Sequence, residues 1–106
     1  MADTLKRLSG PTALTTSAVT QYTTPGGTTT TIRNIHVCNE SGSDATFTLS
    51  IGTDGAGKRL YKGQTVPAND AFDAGLSVVL AATDVVQALA STGAALTLVL
   101  SGVEST

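Results

Sequence analysis

The chain has 106 residues, of which 41% are hydrophobic and 13% are charged, and its formal net charge is −2. This length predicts one domain, and the apolar share is that of a folded protein rather than a disordered one. The low charge excludes a basic nucleic-acid-binding surface, because the basic pairs Lys6-Arg7 and Lys58-Arg59 are isolated along the sequence.

The first residues, "MADTLKRLSGP", precede any alternating pattern and end at Gly10-Pro11. They predict an extended N-terminal arm over residues 1–11, ahead of a single β domain over residues 12–106. A free arm of this length is normally disordered unless it packs on a neighbour. Four side chains in its middle are therefore predicted to contact another subunit: Leu5, Lys6, Arg7 and Leu8.

From residue 14 onward, apolar and polar residues alternate in short runs separated by turn sequences. In "ATFTLSI" (residues 45–51), Ala, Phe, Leu and Ile alternate with Thr and Ser, which is typical of a strand with one buried face. In "TDVVQALAST", a strand is preferred over a short helix capped by Thr83 or Asp84, because the segment is short and bounded by turns. Seven strands are predicted: 14–23, 28–39, 45–53, 59–66, 71–80, 85–90 and 95–103.

These strands predict an all-β fold, an antiparallel β-sandwich of jelly-roll-like or Ig-like type with about seven to eight strands. Its core is thin, because the chain has no Trp and only two Phe and two Tyr. Burial against other subunits would supplement such a core, although a stable monomer is the simpler alternative. The residues predicted to be largely buried are Phe47, Leu49, Ile51, Leu80, Leu96, Leu98 and Leu100.

His36 and Cys38, the only histidine and the only cysteine, lie two residues apart in a predicted strand. Side chains at this spacing point to the same face and run parallel, so they do not form the direct hydrogen bond of a Cys–His dyad. Two ligands are also too few for a metal site. Both are therefore predicted to be structural strand residues, with Cys38 a buried free thiol.

Two further segments match known ligand-binding patterns only incompletely. Gly52 to Lys58 matches the phosphate-binding G-x-x-x-x-G-K pattern, but Arg59 replaces the Ser or Thr that would hold Mg²⁺, and a strand-like run follows where a helix is required. A hairpin loop with Asp54-Gly55 at its tip is the preferred interpretation. Asp70 and Asp73 are too few oxygen ligands for Ca²⁺. No enzyme, cofactor or metal is expected.

Six segments spread along nearly the whole chain have recognisable sequences: "RLSGP" (7–11), the Tyr-Thr-x-Pro turn (22–25), "IRNIHVCN" (32–39), "ATFTLSIG" (45–52), "VPANDAF" (66–72) and "ALTLVLSGVE" (95–104). In these segments the chain resembles a family of small virion-associated proteins of tailed bacteriophages. It departs from the family at Pro25-Gly26-Gly27, where relatives often have Pro-Ala-Gly.

The resemblance implies a non-enzymatic structural component of the virion, made in the host bacterial cytoplasm. A decoration protein on the outer capsid surface is the first expectation. The alternatives are a tail or baseplate accessory protein and a host-surface carbohydrate-binding module. The expected partners are copies of the chain itself, with a trimer favoured, and the major capsid protein or tail proteins. No membrane partner is expected, since no apolar run approaches about 20 residues.

Overall fold

The computed structural model describes residues 3–53, 55 and 57–106. Met1 and Ala2 of the predicted arm, and Asp54 and Ala56 of the predicted hairpin loop, lie outside the described residues. The described residues form eight β-strands and no helix. The strands are β1 (Asp3–Ala13), β2 (Val19–Thr23), β3 (Thr29–Asn39), β4 (Ala45–Ile51), β5 (Arg59–Val66), β6 (Ala71–Leu80), β7 (Val85–Ala90) and β8 (Leu96–Ser105).

The strands form two four-stranded antiparallel sheets. Sheet A has the order β1-β8-β3-β6 and sheet B has the order β2-β7-β4-β5. Strand β1 pairs with β8, β2 with β7, β3 with β6 and β4 with β5, so the chain is one long hairpin rolled up on itself. The rolling adds the contacts of β3 with β8 and of β4 with β7. The predicted β-sandwich is confirmed, and this nested pairing is that of a jelly roll.

The core lies between the two sheets, where alternate residues of the strands meet. In β8, Leu96, Leu98 and Leu100 are fully buried, and the even-numbered residues of β7 lie opposite them from sheet B. Of the seven residues predicted to be largely buried, all are buried except Ile51, which is partly buried against the core. The weakly predicted segment 85–90 is a strand, so the preference for a strand over a helix there is confirmed.

The predicted N-terminal arm is not confirmed, because residues 3–13 form β1 at the edge of sheet A. Asp3 to Arg7 pair without interruption with β8, and the pairing resumes beyond two register shifts and ends at Ala13. The Gly10-Pro11 pair breaks the alternation in the sequence but lies inside this irregular stretch, with Gly10 at a φ of 87°. The boundary predicted at residue 11 therefore falls within a strand.

A β-bulge at Arg33 changes which residues of β3 face the core. The pairing with β8 and β6 shifts between Ile32 and Asn34, so the alternation of buried residues changes phase there. Ile32 is buried before the bulge, and Ile35 and Val37 are buried after it. Uniform alternation would place Ile32 on the face opposite Ile35 and Val37, and the inserted residue is what allows all three to face the core.

The pairing of β8 with β3 leaves no room for a side chain at Gly102. A Cβ atom added to Gly102 would lie 2.1 Å from the carbonyl oxygen of Thr31 and 3.0 Å from Cδ1 of Leu8. Real Cβ atoms do not approach backbone this closely, so the residue must be glycine for the strands to pair in this register.

Candidate interaction surface

His36 and Cys38 lie on the outer face of sheet A, in the half of β3 that follows the bulge. Cys38 is a free, half-buried thiol, so the prediction of a buried thiol was wrong. The bulge turns Ile35 and Val37 inward and leaves the residues between them on the open face. His36 Nδ1 lies 3.9 Å from Asp73 Oδ1 across the β3–β6 pair, and both side chains are well exposed. At this distance the contact is a loose surface pair, worth about 0–1 kcal/mol.

The described part of the chain has few features of a small-molecule site. No pocket opens among residues 3–53, 55 and 57–106, and no group of three or more His, Cys, Asp or Glu residues is placed there to hold a metal ion. Within the same residues, no helix is long and apolar enough to cross a membrane.

Four polar side chains join the two sheets at one end of the sandwich. Lys6 Nζ donates to Glu104 Oε1 at 3.3 Å, and the hydroxyl of Tyr22 donates to the other oxygen of the same carboxylate. Thr30 Oγ1 lies 2.8 Å from the Tyr22 hydroxyl. Because the single hydroxyl proton of Tyr22 goes to Glu104, Thr30 is the donor to the Tyr22 oxygen. We call these four residues the sheet-bridging network, since Tyr22 belongs to β2 of sheet B and the others belong to sheet A.

The sheet-bridging network shifts the acidity of two of its members. Burial, followed by the bond to Glu104, raises the pKa of Tyr22 above its usual value. The hydrogen bond from Tyr22 lowers the pKa of Glu104, and Lys6 lowers it further. The carboxylate form of Glu104 and the neutral form of Tyr22 are thus the forms that the folded chain favours.

The four residues predicted to contact another subunit have different environments. Leu8 is 9% exposed and belongs to the core of its own chain, and Lys6 is engaged by Glu104. Leu5 is 79% exposed. Arg7 is exposed as well, and it has no ion-pair partner among residues 3–53, 55 and 57–106. Within the described chain, Leu5 and Arg7 are therefore exposed without an intrachain partner, whereas Lys6 is exposed but paired with Glu104 and Leu8 is buried.

Leu5 is one end of an apolar row that crosses the whole outer face of sheet A. It pairs with Val103 of β8, which pairs with Thr31 of β3, which pairs with Val79 of β6. Val79 is 64% exposed, so the two most exposed large apolar side chains of the described chain stand at the two ends of one row. Below, "apolar row" means Leu5, Val103, Thr31 and Val79. Val79 and Val103 were not singled out from the sequence, although the alternation in "LSVVL" places Val79 opposite the buried residues.

The apolar row runs between the two free edges of sheet A. Strand β6 has ten residues, and β3 is its only sheet neighbour among the described strands. It contains no Pro or Lys and one charge, Asp73, so it lacks the usual features that protect an edge from pairing. Strand β1 is irregular between Arg7 and Thr12, which leaves Asp3 to Arg7 as its regular edge segment. Both edges have unpaired backbone groups of the kind that template strand addition.

The four aromatic side chains are used inside the fold. The rings of Phe47, Tyr61 and Phe72 pack together with centroids 5.4–5.7 Å apart. Phe47 and Tyr22 are buried, and the other two are partly buried against the core. Sugar-binding surfaces expose flat aromatic rings for stacking, and these four rings are not arranged in that way.

Comparison with known proteins found no matching family model, no matching curated protein and no matching solved structure.

Proposed function

We propose that the protein is a non-enzymatic structural component of a tailed-bacteriophage virion, a decoration protein on the outer capsid surface that stabilises the particle. The observation that carries the proposal is the apolar row, which ends at both free edges of sheet A. Leu5 and Val79 are 79% and 64% exposed, and each would gain about 1.5–3 kcal/mol on full burial. A surface of this kind is suited to contact with other protein.

The fold and the resemblance to phage virion proteins support the same role. Jelly rolls occur in viral capsid proteins, in lectins and in cupins, so the fold by itself is support by analogy only. The segments that resemble the phage family are structural, and they correspond to β3, β4 and β8 together with parts of β1, β2 and β6. The shared features are therefore those that build the sandwich.

The placement of His36 and Cys38 favours a structural role over an enzymatic one. They lie side by side on an open sheet face, and the nearest carboxylate, Asp73, is 3.9 Å from the histidine and 63% exposed. A catalytic nucleophile and base require a direct hydrogen bond and an oriented base. Replacing either residue by Ala is expected to leave particle assembly and infectivity intact.

We propose that the protein acts as a homo-oligomer, with a trimer favoured, and that it binds the major capsid protein. Of the predicted contact residues, Leu5, Lys6 and Arg7 are exposed, and Leu8 is buried in its own chain. A tail or baseplate location is the alternative, since a small sandwich meets the same requirements there. A carbohydrate-binding role has less support, because the four aromatic rings pack within the fold, and a glycan array with strong specific hits would favour it.

The test is to add the purified protein to phage particles that lack it and to locate it by cryo-electron microscopy. Density at regular positions on the outer capsid, with greater resistance of the particles to heat, is the expected result. Density on the tail alone would replace the capsid proposal by its tail alternative. No density on either part would overturn the virion proposal.

A further inference from the structure

We propose that copies of the chain associate edge to edge, with β1 of one copy adding to β6 of the next so that sheet A continues from subunit to subunit. The inference rests on the homo-oligomer proposed above and names its contact. Leu5 of one copy would lie beside Val79 of its neighbour, and the apolar row would run on without a break.

The polarity of the strands allows this contact. Sheet A is antiparallel throughout its order β1-β8-β3-β6, so β1 and β6 run in opposite directions. A second copy placed beside the first in the same orientation therefore presents its β6 antiparallel to β1. The regular segment Asp3 to Arg7 would then pair with residues 77–81 of the neighbour, with Leu5 opposite Val79.

In this register the apolar row of one copy would also continue into the apolar row of the next copy. Val79 stands beside Thr31 and Leu5 beside Val103 within one chain. Joining Leu5 to Val79 of the next copy covers the facing sides of the two apolar side chains that water contacts most, with no charged residue between them. Aliphatic pairs directly opposite each other on one face stabilise an antiparallel sheet.

Charge disfavours a contact between two β6 edges. Lys6 already pairs with Glu104 of its own chain, so the other charges on the regular edge of β1, Asp3 and Arg7, cancel, whereas β6 contains Asp73 as its single charge. A β6–β6 contact would bring two acidic edges together. The unlike pairing is a head-to-tail contact, and such contacts form a closed ring when the rotation between copies permits closure.

Cysteine cross-linking tests the contact directly. The protein would carry Leu5→Cys and Val79→Cys in a Cys38→Ser background and would be oxidised under conditions in which light scattering measures its oligomeric state. Within one chain the two positions are three strand spacings apart, about 14 Å, which is beyond the reach of a disulfide. Every disulfide between them is therefore a bond between copies. We expect covalent oligomers from the double variant and almost none from either single variant.

The possible outcomes distinguish failure of the β1–β6 edge contact from failure of the proposed homo-oligomer. An oligomer by light scattering without cross-links in the double variant would overturn the edge contact and leave the homo-oligomer standing. Covalent dimers from a single variant would show that like edges meet, which also overturns it. A monomer without cross-links would overturn both.

A charge placed at the end of the row provides a second test in the otherwise unaltered chain. Val79→Lys is expected to raise the dissociation constant of the oligomer by about ten- to a hundredfold, because a buried Val is replaced by a solvated charge. Val19→Lys is the matched control, since Val19 is also exposed but lies on β2 of sheet B. An equal effect of the two substitutions, with melting temperatures unchanged, would contradict the proposal.

Discussion

Removal of one hydroxyl group should measure how strongly the two sheets are tied together at their polar end. In Tyr22→Phe the ring keeps its place in the core, but Glu104 and Thr30 lose their shared partner. The Glu104 side chain is only 15% exposed, so water replaces the lost donor incompletely. The substitution thus tests the sheet-bridging network with little change in packing.

The expected cost follows from the two hydrogen bonds. A hydrogen bond to a charged group contributes about 1.5–3 kcal/mol and a neutral one about 1 kcal/mol. Because Lys6 still neutralises Glu104 and some water enters, we expect Tyr22→Phe to lower the free energy of unfolding by about 2 kcal/mol. In a domain of this size that corresponds to a decrease in melting temperature of about 10 °C.

Urea denaturation followed by circular dichroism is the assay, and Tyr61→Phe is the matched control. Tyr61 lies in the same sheet and packs its ring against Phe47 and Phe72, but its hydroxyl makes no hydrogen bond with residues 3–53, 55 and 57–106. We expect the control to change stability by less than about 0.5 kcal/mol. Equal losses in the two variants would refute the argument that the bonds of Tyr22 bridge the sheets.

The same network predicts the direction of the pH dependence. The pKa of Glu104 is lowered in the folded chain, so its contribution is present above the ordinary carboxyl pKa and is lost as pH falls through the folded-state pKa. The pKa of Tyr22 is raised, so its contribution is present below 10.0 and is lost as pH rises through the folded-state pKa. The stability difference between wild type and Tyr22→Phe should therefore shrink at both extremes. A difference that stays constant in acid would contradict the role of Glu104.

Three further predictions concern the strands themselves. Gly102→Ala should lower the free energy of unfolding by about 2–3 kcal/mol in thermal or urea melts, because the added Cβ would collide with the backbone of β3. Gly26→Ala is the control and should change the free energy of unfolding little, because there is open space around the added Cβ. Deletion of residues 1–10 should abolish cooperative melting, because it removes most of β1 and uncovers β8; a truncated chain that melts like the full one would disprove this. Cys38 should react with a thiol reagent in the native protein, more slowly than in urea, and complete protection would show that the outer face of sheet A is covered.

The sequence predicted strands well where the alternation was regular. Residues 45–51 and 96–103 are both strands, and Phe47, Leu49, Leu96, Leu98 and Leu100 are buried as predicted, whereas the alternation in β4 fails at its end, where Ser50 is buried and Ile51 only partly so. Strand β1 was missed because Gly10-Pro11 interrupts its pattern and its first half is polar or charged. The inward residues of β3 could not be read from simple alternation, because the bulge at Arg33 changes the phase without leaving a mark in the sequence.

The interaction surface was harder to predict than the fold, because it depends on which strands are neighbours. Leu5 was recognised as an exposed apolar residue, but Val79 and Val103 join it only when β1, β8, β3 and β6 are placed in that order. The ion pair of Lys6 with Glu104, 98 positions away in the same chain, was also not predicted from the sequence. Alternation reports which face a residue occupies and does not report the strand beside it.

The nested pairing of the strands has a consequence for the order of events at the ribosome. Strand β8 lies between β1 and β3, so the middle strand pair of sheet A cannot form until β8, the last of the eight strands, has been synthesised. Contacts between such distant segments are slow to form, because a long loop must close first. The β4–β5 hairpin can form during synthesis, whereas β1 must wait for its partner with an unpaired edge. Asp3 pairs with Ser105, so a permuted chain that links the end of β8 to the start of β1 and opens between β4 and β5 would synthesise β8 and β1 consecutively. Such a chain should assemble sheet A faster than the natural one.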